Sequence, residues 1–173
     1  MLIRRAGPND TESIRWVHGA AFARAGYPDG PPEVVLANEL RACPAYLPTL
    51  DLVAEVDGAV VGHVIATRAT IGPDASPVLG LGPLGVHPDH QGQGVGSVLV
   101  RATIARADEM GEPMIVLLGD PSYYARFGFV LSSTVGIEPP DEAWVHHFQV
   151  RPGQNYDPAV RGRFAYAEPF DHL

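Results

Sequence analysis

The run Gln91-Gly92-Gln93-Gly94-Val95-Gly96-Ser97 sets three glycines at alternate positions just ahead of an apolar, Ala-rich stretch. Glycine loses more backbone freedom on folding than any other residue, so a cluster where a helix should begin calls for a use. A strand entering a helix through such a turn presents backbone N–H groups that no helical carbonyl can satisfy. Together with the positive end of the helix dipole they form an anion site. Residues without side chains let a phosphate lie against the backbone, and a pyrophosphate lets consecutive amides grip several oxygens at once.

Two familiar pyrophosphate patterns do not fit. The Walker loop needs a lysine after its glycines, and all 12 basic residues here are arginine. The dinucleotide fingerprint G-x-G-x-x-G fails as well, because a count from Gly92 puts Ser97 at its last position.

The other candidate groups are weaker. His87 and His90 flank Pro88, which places them in a turn with no third ligand nearby, so no metal site is expected. His146-His147 reads as part of the strand "WVHHFQV", which points the two rings to opposite faces. Cys43 is the single cysteine, which excludes an internal disulfide and reads as a packed, inert thiol.

The chain has 173 residues, 46% hydrophobic and 18% charged, a composition that suits one globular domain. Its formal charge of −8, with no basic cluster, argues against a nucleic-acid partner and mildly favours cationic small molecules. The start "MLIRRAGPND" lacks the apolar core of a signal peptide, and no apolar run reaches the ~20 residues of a membrane span. A cytoplasmic protein without membrane partners is expected.

Several elements must position the glycine turn. "MLIRRA" reads as a strand. Asp10 is the expected cap of a helix with Ile14, Val17, Ala21 and Ala25 on one face. A second helix is expected over Glu33–Ala42. "LDLVAEV" and "AVVGHVIATRATI" form a hairpin around Asp57-Gly58. In "VLGLGPLGV", Pro83 and its neighbouring glycines predict a bulge or a missing partner. A helix from Gln93 to about Met110 follows, then the buried strand "MIVLL" and a short helix capped by Asp120 and closed by Gly128. "WVHHFQV" and a weaker "RFAYA" complete the order β-α-α-β-β-β-α-β-α-β-β, a mixed α/β sheet with helices on both faces.

The segment Gln91 to Gly96 also spells Gln-x-x-Gly-x-Gly, preceded by Val86-His87-Pro88 at a strand end. With "MIVLL" and the Tyr-x-x-x-Gly-Phe set Tyr124, Gly128 and Phe129, it resembles the GCN5-related N-acetyltransferase (GNAT) superfamily, within it the YhbS-like group. The resemblance runs from the first strand to about residue 150. It implies one N-acetyltransferase domain over 1–173, with 151–173 as an extension beyond the shared core. The implied fold is that of acyl-CoA N-acyltransferases, a mostly antiparallel sheet around a β-α-β core.

The implied cosubstrate is acetyl-CoA, with no metal. Amides from Gln91, Gly92, Gln93, Gly94, Val95, Gly96 and Ser97 would hold its pyrophosphate. The strand Leu81 to Val86 would splay from "MIVLL", and the pantetheine arm would pair with the backbone of Leu84 and Val86, with Gly85 between them in the cofactor-binding set. A backbone N–H there would polarise the thioester carbonyl. Tyr124 matches the family's general acid, since a phenol of ordinary pKa about 10 is protonated at neutral pH and can donate to a departing thiolate. Strand Leu79–Val86 carries no carboxylate, unlike relatives that place a Glu there, which leaves Glu33, Glu39, His63 or a water chain as bases. A small-molecule or peptide amine is the implied acceptor, and a homodimer through the last strands is common in such folds. A non-catalytic acyl-CoA-binding or regulatory protein is the alternative function.

Overall fold

The computed structural model describes residues 1–24, 26–27 and 30–172. Ala25, the last position of the predicted first-helix stripe, lies outside the described residues.

The chain builds one mixed sheet in the order β1-β2-β3-β4-β5-β8-β6, with β9 added to β3 and β7 to β9. The strands are β1 (Leu2–Arg5), β2 (Asp51–Val56), β3 (Ala59–Ile71), β4 (Ser76–Val86), β5 (Met114–Leu118), β6 (Val130–Leu131), β7 (Ile137–Glu138), β8 (Phe148–Pro152) and β9 (Gly162–Ala165). Pairing is antiparallel except between β4 and β5 and between β7 and β9. Asp57 and Gly58 both take positive φ, as the two-residue turn joining β2 to β3 requires.

Helices cover both faces. On one lie α1 (Thr11–Ala21) and α2 (Pro32–Ala42), which bury Ile14, Val17 and Ala37 against Val53 and Val60. On the other, α3 (Val95–Glu109) sets Val95, Leu99 and Val100 against Leu52, Ala54, Val64 and Ile115. The short α4 (Pro121–Tyr124) follows β5, and Phe127 and Phe129 after it join the α3-side core. Asp120 caps α4 as expected, its carboxylate accepting from the Ser122 N–H at 2.8 Å.

Three readings of the sequence need correction. Asp10 does not cap α1 with its side chain; the carboxylate accepts from the Gly7 N–H at 2.7 Å and from both terminal nitrogens of Arg4. A nearby guanidinium competes successfully for the same oxygens. Secondly, "WVHHFQV" is a strand only from Phe148. Asp141 accepts from the Ala143 N–H and winds Glu142–Trp144 into a 3-10 turn, so His146 and His147 sit in a turn and not on alternate strand faces. Thirdly, β6 and β7 lie outside the expected order, because two-residue strands carry no readable alternation.

Residues 151–173 contribute to the same sheet and core. Thr70 and Ile71 pair with Ala165 and Phe164, and Phe164 is fully buried beside Phe148.

Candidate active site

Everything at the site follows from an interruption in β4. Val64 pairs with Leu84 and Ala66 with Leu81, so β4 carries one residue more than β3 over this stretch, at Gly82-Pro83. The proline cannot donate to a ladder, which is why the predicted bulge falls there. On its other edge β4 pairs with β5 only at Leu79–Ile115 and Gly80–Val116. Beyond those two pairs the parallel strands part. Leu118, at the open end of β5, is 41% exposed although the four residues before it are buried.

Backbone alternation shows which groups face the opening. The His87 N–H donates to Val61 O at 2.9 Å, so His87 and Gly85 direct their polar groups toward β3. Leu84 and Val86 must then point theirs the other way, and Val86 O accepts from Gln91 Nε2 at 2.9 Å on that side. Gly85 answers to a different demand: a Cβ there would lie 2.7 Å from His18 Nδ1, so its glycine lets α1 approach the sheet.

The glycine turn lies beside this edge. Gly92 and Gly94 have φ of +71° and +86°, which L side chains rarely adopt, and Gly94 is the residue from which α3 starts. A Cβ on Gly96 would meet the Tyr123 hydroxyl at 3.0 Å. The first hydrogen bond of α3 runs from the Val98 N–H to Gly94 O, which leaves the preceding N–H groups of Val95, Gly96 and Ser97 without helical partners. Gln91 and Gln93 brace the loop, since Gln93 Nε2 donates to Asp89 O and the Gln91 N–H to Pro88 O. Gln91, Gly92, Gly94, Val95, Gly96 and Ser97, with Leu84, Val86, His90, Tyr123 and Arg126, line a cavity of about 460 Å³, and Gln93 does not.

Tyr123 and Arg126 were not anticipated as part of this cavity. The Tyr123 hydroxyl lies 3.4 Å from Ser97 Oγ, and the Arg126 guanidinium stacks 4.7 Å over the Tyr123 ring. A cation three residues after an aromatic in "YYAR" is the signal that could have found them.

A second cavity, of about 350 Å³, opens on the other side of Leu84. Tyr124 belongs to this one, with Leu81, Pro83 and Leu118. Its ring packs against Gly119, where a Cβ would collide with it. Burial, reinforced by the neighbouring Tyr123, pushes the Tyr124 phenol up to about 12. It therefore stays protonated across any ordinary pH.

The three base candidates separate cleanly. Glu33 lines the second cavity. Glu39 is at the surface, bonded to His172 at 3.1 Å. His63 is fully buried in a polar chain behind β4. There His18 and His63 share a 2.6 Å contact, and His63 Nε2 meets Asp51 Oδ1 at 2.8 Å. Arg41 and Tyr46 both donate to Asp51 Oδ2. Burial acts to raise the Asp51 carboxyl, but the hydrogen bonds from His63 and Tyr46 and the Arg41 charge together hold it below the usual range. Burial, and then the proximity of His63, push the His18 imidazole well below its ordinary value.

His87 lies under Trp16, the rings stacked at 3.9 Å, and among the described residues no group of three His, Cys, Asp or Glu is placed to hold a metal. Cys43 packs near Leu36 and Leu40 and points its thiol at Leu40 O. Among the described residues no helix is long and apolar enough to cross a membrane.

Two parallel strands that part beside a glycine-headed helix, within a mostly antiparallel open sheet, define the acyltransferase fold class. Comparison with known proteins narrows the class. The acetyltransferase (GNAT) family model matches residues 13–129, and the chain belongs to this family. It is 35% identical to the uncharacterized N-acetyltransferase YhbS of Escherichia coli K12 over 77% of this chain and 75% of that one. It is 37% identical to the uncharacterized N-acetyltransferase YjhQ of the same strain, over 70% of this chain but only 65% of YjhQ, just under two thirds of that protein. Among solved structures it resembles E. coli YhbS in complex with CoA, with a TM-score of 0.85, 30% identity and coverage of 98% and 91% of the two chains. A GNAT family acetyltransferase from Brucella melitensis in complex with acetyl-CoA gives a TM-score of 0.79, 36% identity and coverage of 98% and 97%.

Proposed function

We propose that this protein transfers the acetyl group of acetyl-CoA to a primary amine. The observation that carries the reading is the junction at Leu84, where an anion cradle on one side of β4 meets a separate cavity holding a protonated phenol on the other. The CoA and acetyl-CoA complexes of similar proteins support the donor. The cradle suits it, with free N–H groups at a helix start, an arginine, and open space above Gly92 and Gly94.

In this reading the amides of Gly92 to Ser97 hold the pyrophosphate, with Gln91 fixing the loop and Arg126 adding charge. Leu84 and Val86 offer strand-like pairing to the pantetheine arm, and Gly85 lets α1 support that strand from behind. Acetyl-CoA supplies an acyl group activated as a thioester. A backbone N–H of the Leu84–Val86 segment polarises the carbonyl. The amine nitrogen forms a C–N bond as the C–S bond breaks. Acetyl-CoA and an ammonium ion thus give the N-acetyl amine, free CoA thiol and one proton.

Tyr124 guards the leaving group. Complete transfer from a phenol near 12 to a thiolate of ordinary pKa about 8.5 is uphill by roughly three units. Its phenol therefore gives its proton to the departing sulfur only in step with taking up the second proton the amine sheds, so that no free phenolate forms. The reading is tested by thiol release from acetyl-CoA in the presence of a panel of primary amines. Amine-dependent release that Tyr124→Phe suppresses is expected; saturable CoA binding with no turnover on any amine favours the non-catalytic alternative.

A further inference from the structure

The cavity beyond Leu84 has a composition that selects its guest. Phe22, Leu118, Trp144, Tyr166 and Phe170 form its aromatic and aliphatic wall. Among the described residues lining it, Glu33 is the one charged group. Glu33 Oε1 accepts from Arg24 at 3.0 Å, whereas Oε2 is buried and has no hydrogen-bond partner among the described residues. A carboxylate oxygen can only accept, so a ligand that satisfies it must bring an N–H or O–H donor. Leaving it unsatisfied is costly, which makes a charged donor the preferred occupant. The Arg24 guanidinium neutralises part of the carboxylate, but its side chain is 44% exposed and its charge is screened by solvent.

From these features we infer that the acceptor is a small hydrophobic monoamine, with its ammonium on Glu33 and an aryl or branched alkyl body against Trp144, Tyr166 and Phe170. This rests on the acetyl-transfer reading above. Aromatic faces beside a cation add to the fit. A polyamine or aminoglycoside would bring further ammonium groups into an apolar space that offers no second carboxylate among the described residues, and burying an unpaired charge is costly. Within the site Glu33 holds the ammonium, one proton of which passes to solvent. The neutral nitrogen then forms the C–N bond as the C–S bond breaks.

The test compares 2-phenylethylamine, spermidine, kanamycin and a short peptide with a free N-terminus as acceptors of the full-length protein. We expect kcat/KM for 2-phenylethylamine to exceed each of the others about tenfold or more, the equivalent of one charged hydrogen bond. Glu33→Gln should raise its KM about tenfold and leave the KM for acetyl-CoA within about twofold. Preference for spermidine, kanamycin or the peptide overturns the inference while leaving acetyl transfer standing. Calorimetric binding of 2-phenylethylamine to the CoA-loaded protein gives an independent readout. Saturable binding weakened by Glu33→Gln supports the cavity assignment even without turnover, a result that would sink the acetyl-transfer reading alone. Absence of binding, or binding indifferent to Glu33→Gln, overturns the inference.

Discussion

The two cavities that meet at Leu84 are built on opposite plans. The cradle is made mostly of main chain, from the end of β4, the contiguous loop after it and the first turn of α3, with the side chains of Tyr123 and Arg126 added from α4 and the turn after it. The second cavity is made of side chains drawn from α1's end, α2, β4, β5, α4, the Glu142–Trp144 turn and the last residues of the chain. A main-chain site can tolerate few substitutions, because positive φ and close approach exclude most residues. A side-chain site can be relined position by position while the backbone stays fixed. In the proposed reading, one region sets what the fold can carry, and the other sets what it acts on.

If this division holds, the largest effect should come from the group at the border. Tyr124→Phe is expected to lower kcat about a hundredfold, the low end of general acid contributions, with CoA affinity changed less than about twofold. Steady-state kinetics beside calorimetry separates the two effects; a parallel loss in both would place Tyr124 in the cradle. Because burial holds its phenol near 12, kcat should show no fall from Tyr124 ionisation between pH 7 and 10.

Within the cradle, Gly94→Val should weaken CoA binding about tenfold or more, since a β-branched residue at φ +86° costs on the order of 1–2 kcal/mol and displaces the start of α3. Amine KM, measured at saturating acetyl-CoA, should stay unchanged. Arg126→Ala should cost CoA affinity about fivefold, an effect that shrinks as salt rises because the contact is ionic and partly exposed. A salt-independent loss would reduce Arg126 to packing on Tyr123.

The smallest effect lies behind both cavities. His18 is buried with its imidazole well below the ordinary value, first by burial and then by His63. The unfolded chain therefore binds a proton below pH about 6.5 that the native state refuses. The stability due to this group is complete above that pH and is lost as pH falls toward the lower folded value. Asp51, held low in the folded state, adds a further loss below the ordinary carboxylate range. Denaturant unfolding from pH 7 to 5 should show the decline, and His18→Leu should flatten it; an identical slope in the variant would remove His18 as its cause.

The same contrast explains what the sequence disclosed. The glycine turn, the Pro83 break and the Asp57-Gly58 hairpin each impose a local backbone demand that few residue types can meet, so spacing alone pointed to them. The reason for the glycines was only half legible: Gly92 and Gly94 serve the backbone, whereas Gly96 makes way for Tyr123 and Gly85 for His18. Such close approaches depend on tertiary packing. Of the second cavity only Tyr124, through its motif, and Glu33, as one of several candidate carboxylates, were legible, because Phe22, Trp144 and Phe170 are far apart in the chain and each is an ordinary residue where it stands. His18 was hidden similarly, since a histidine at a buried helix position looks like any polar residue until His63 and Asp51 are placed behind it.

The division between donor and acceptor regions is tested most directly by backbone amide shifts of the 15N-labelled protein on titration with acetyl-CoA. The largest changes should fall on Leu84, Val86 and Gly92 to Ser97, with little at Glu33, Trp144 and Phe170. Shifts centred on those three residues, or spread over the surface with no response from the glycine turn, would contradict the account.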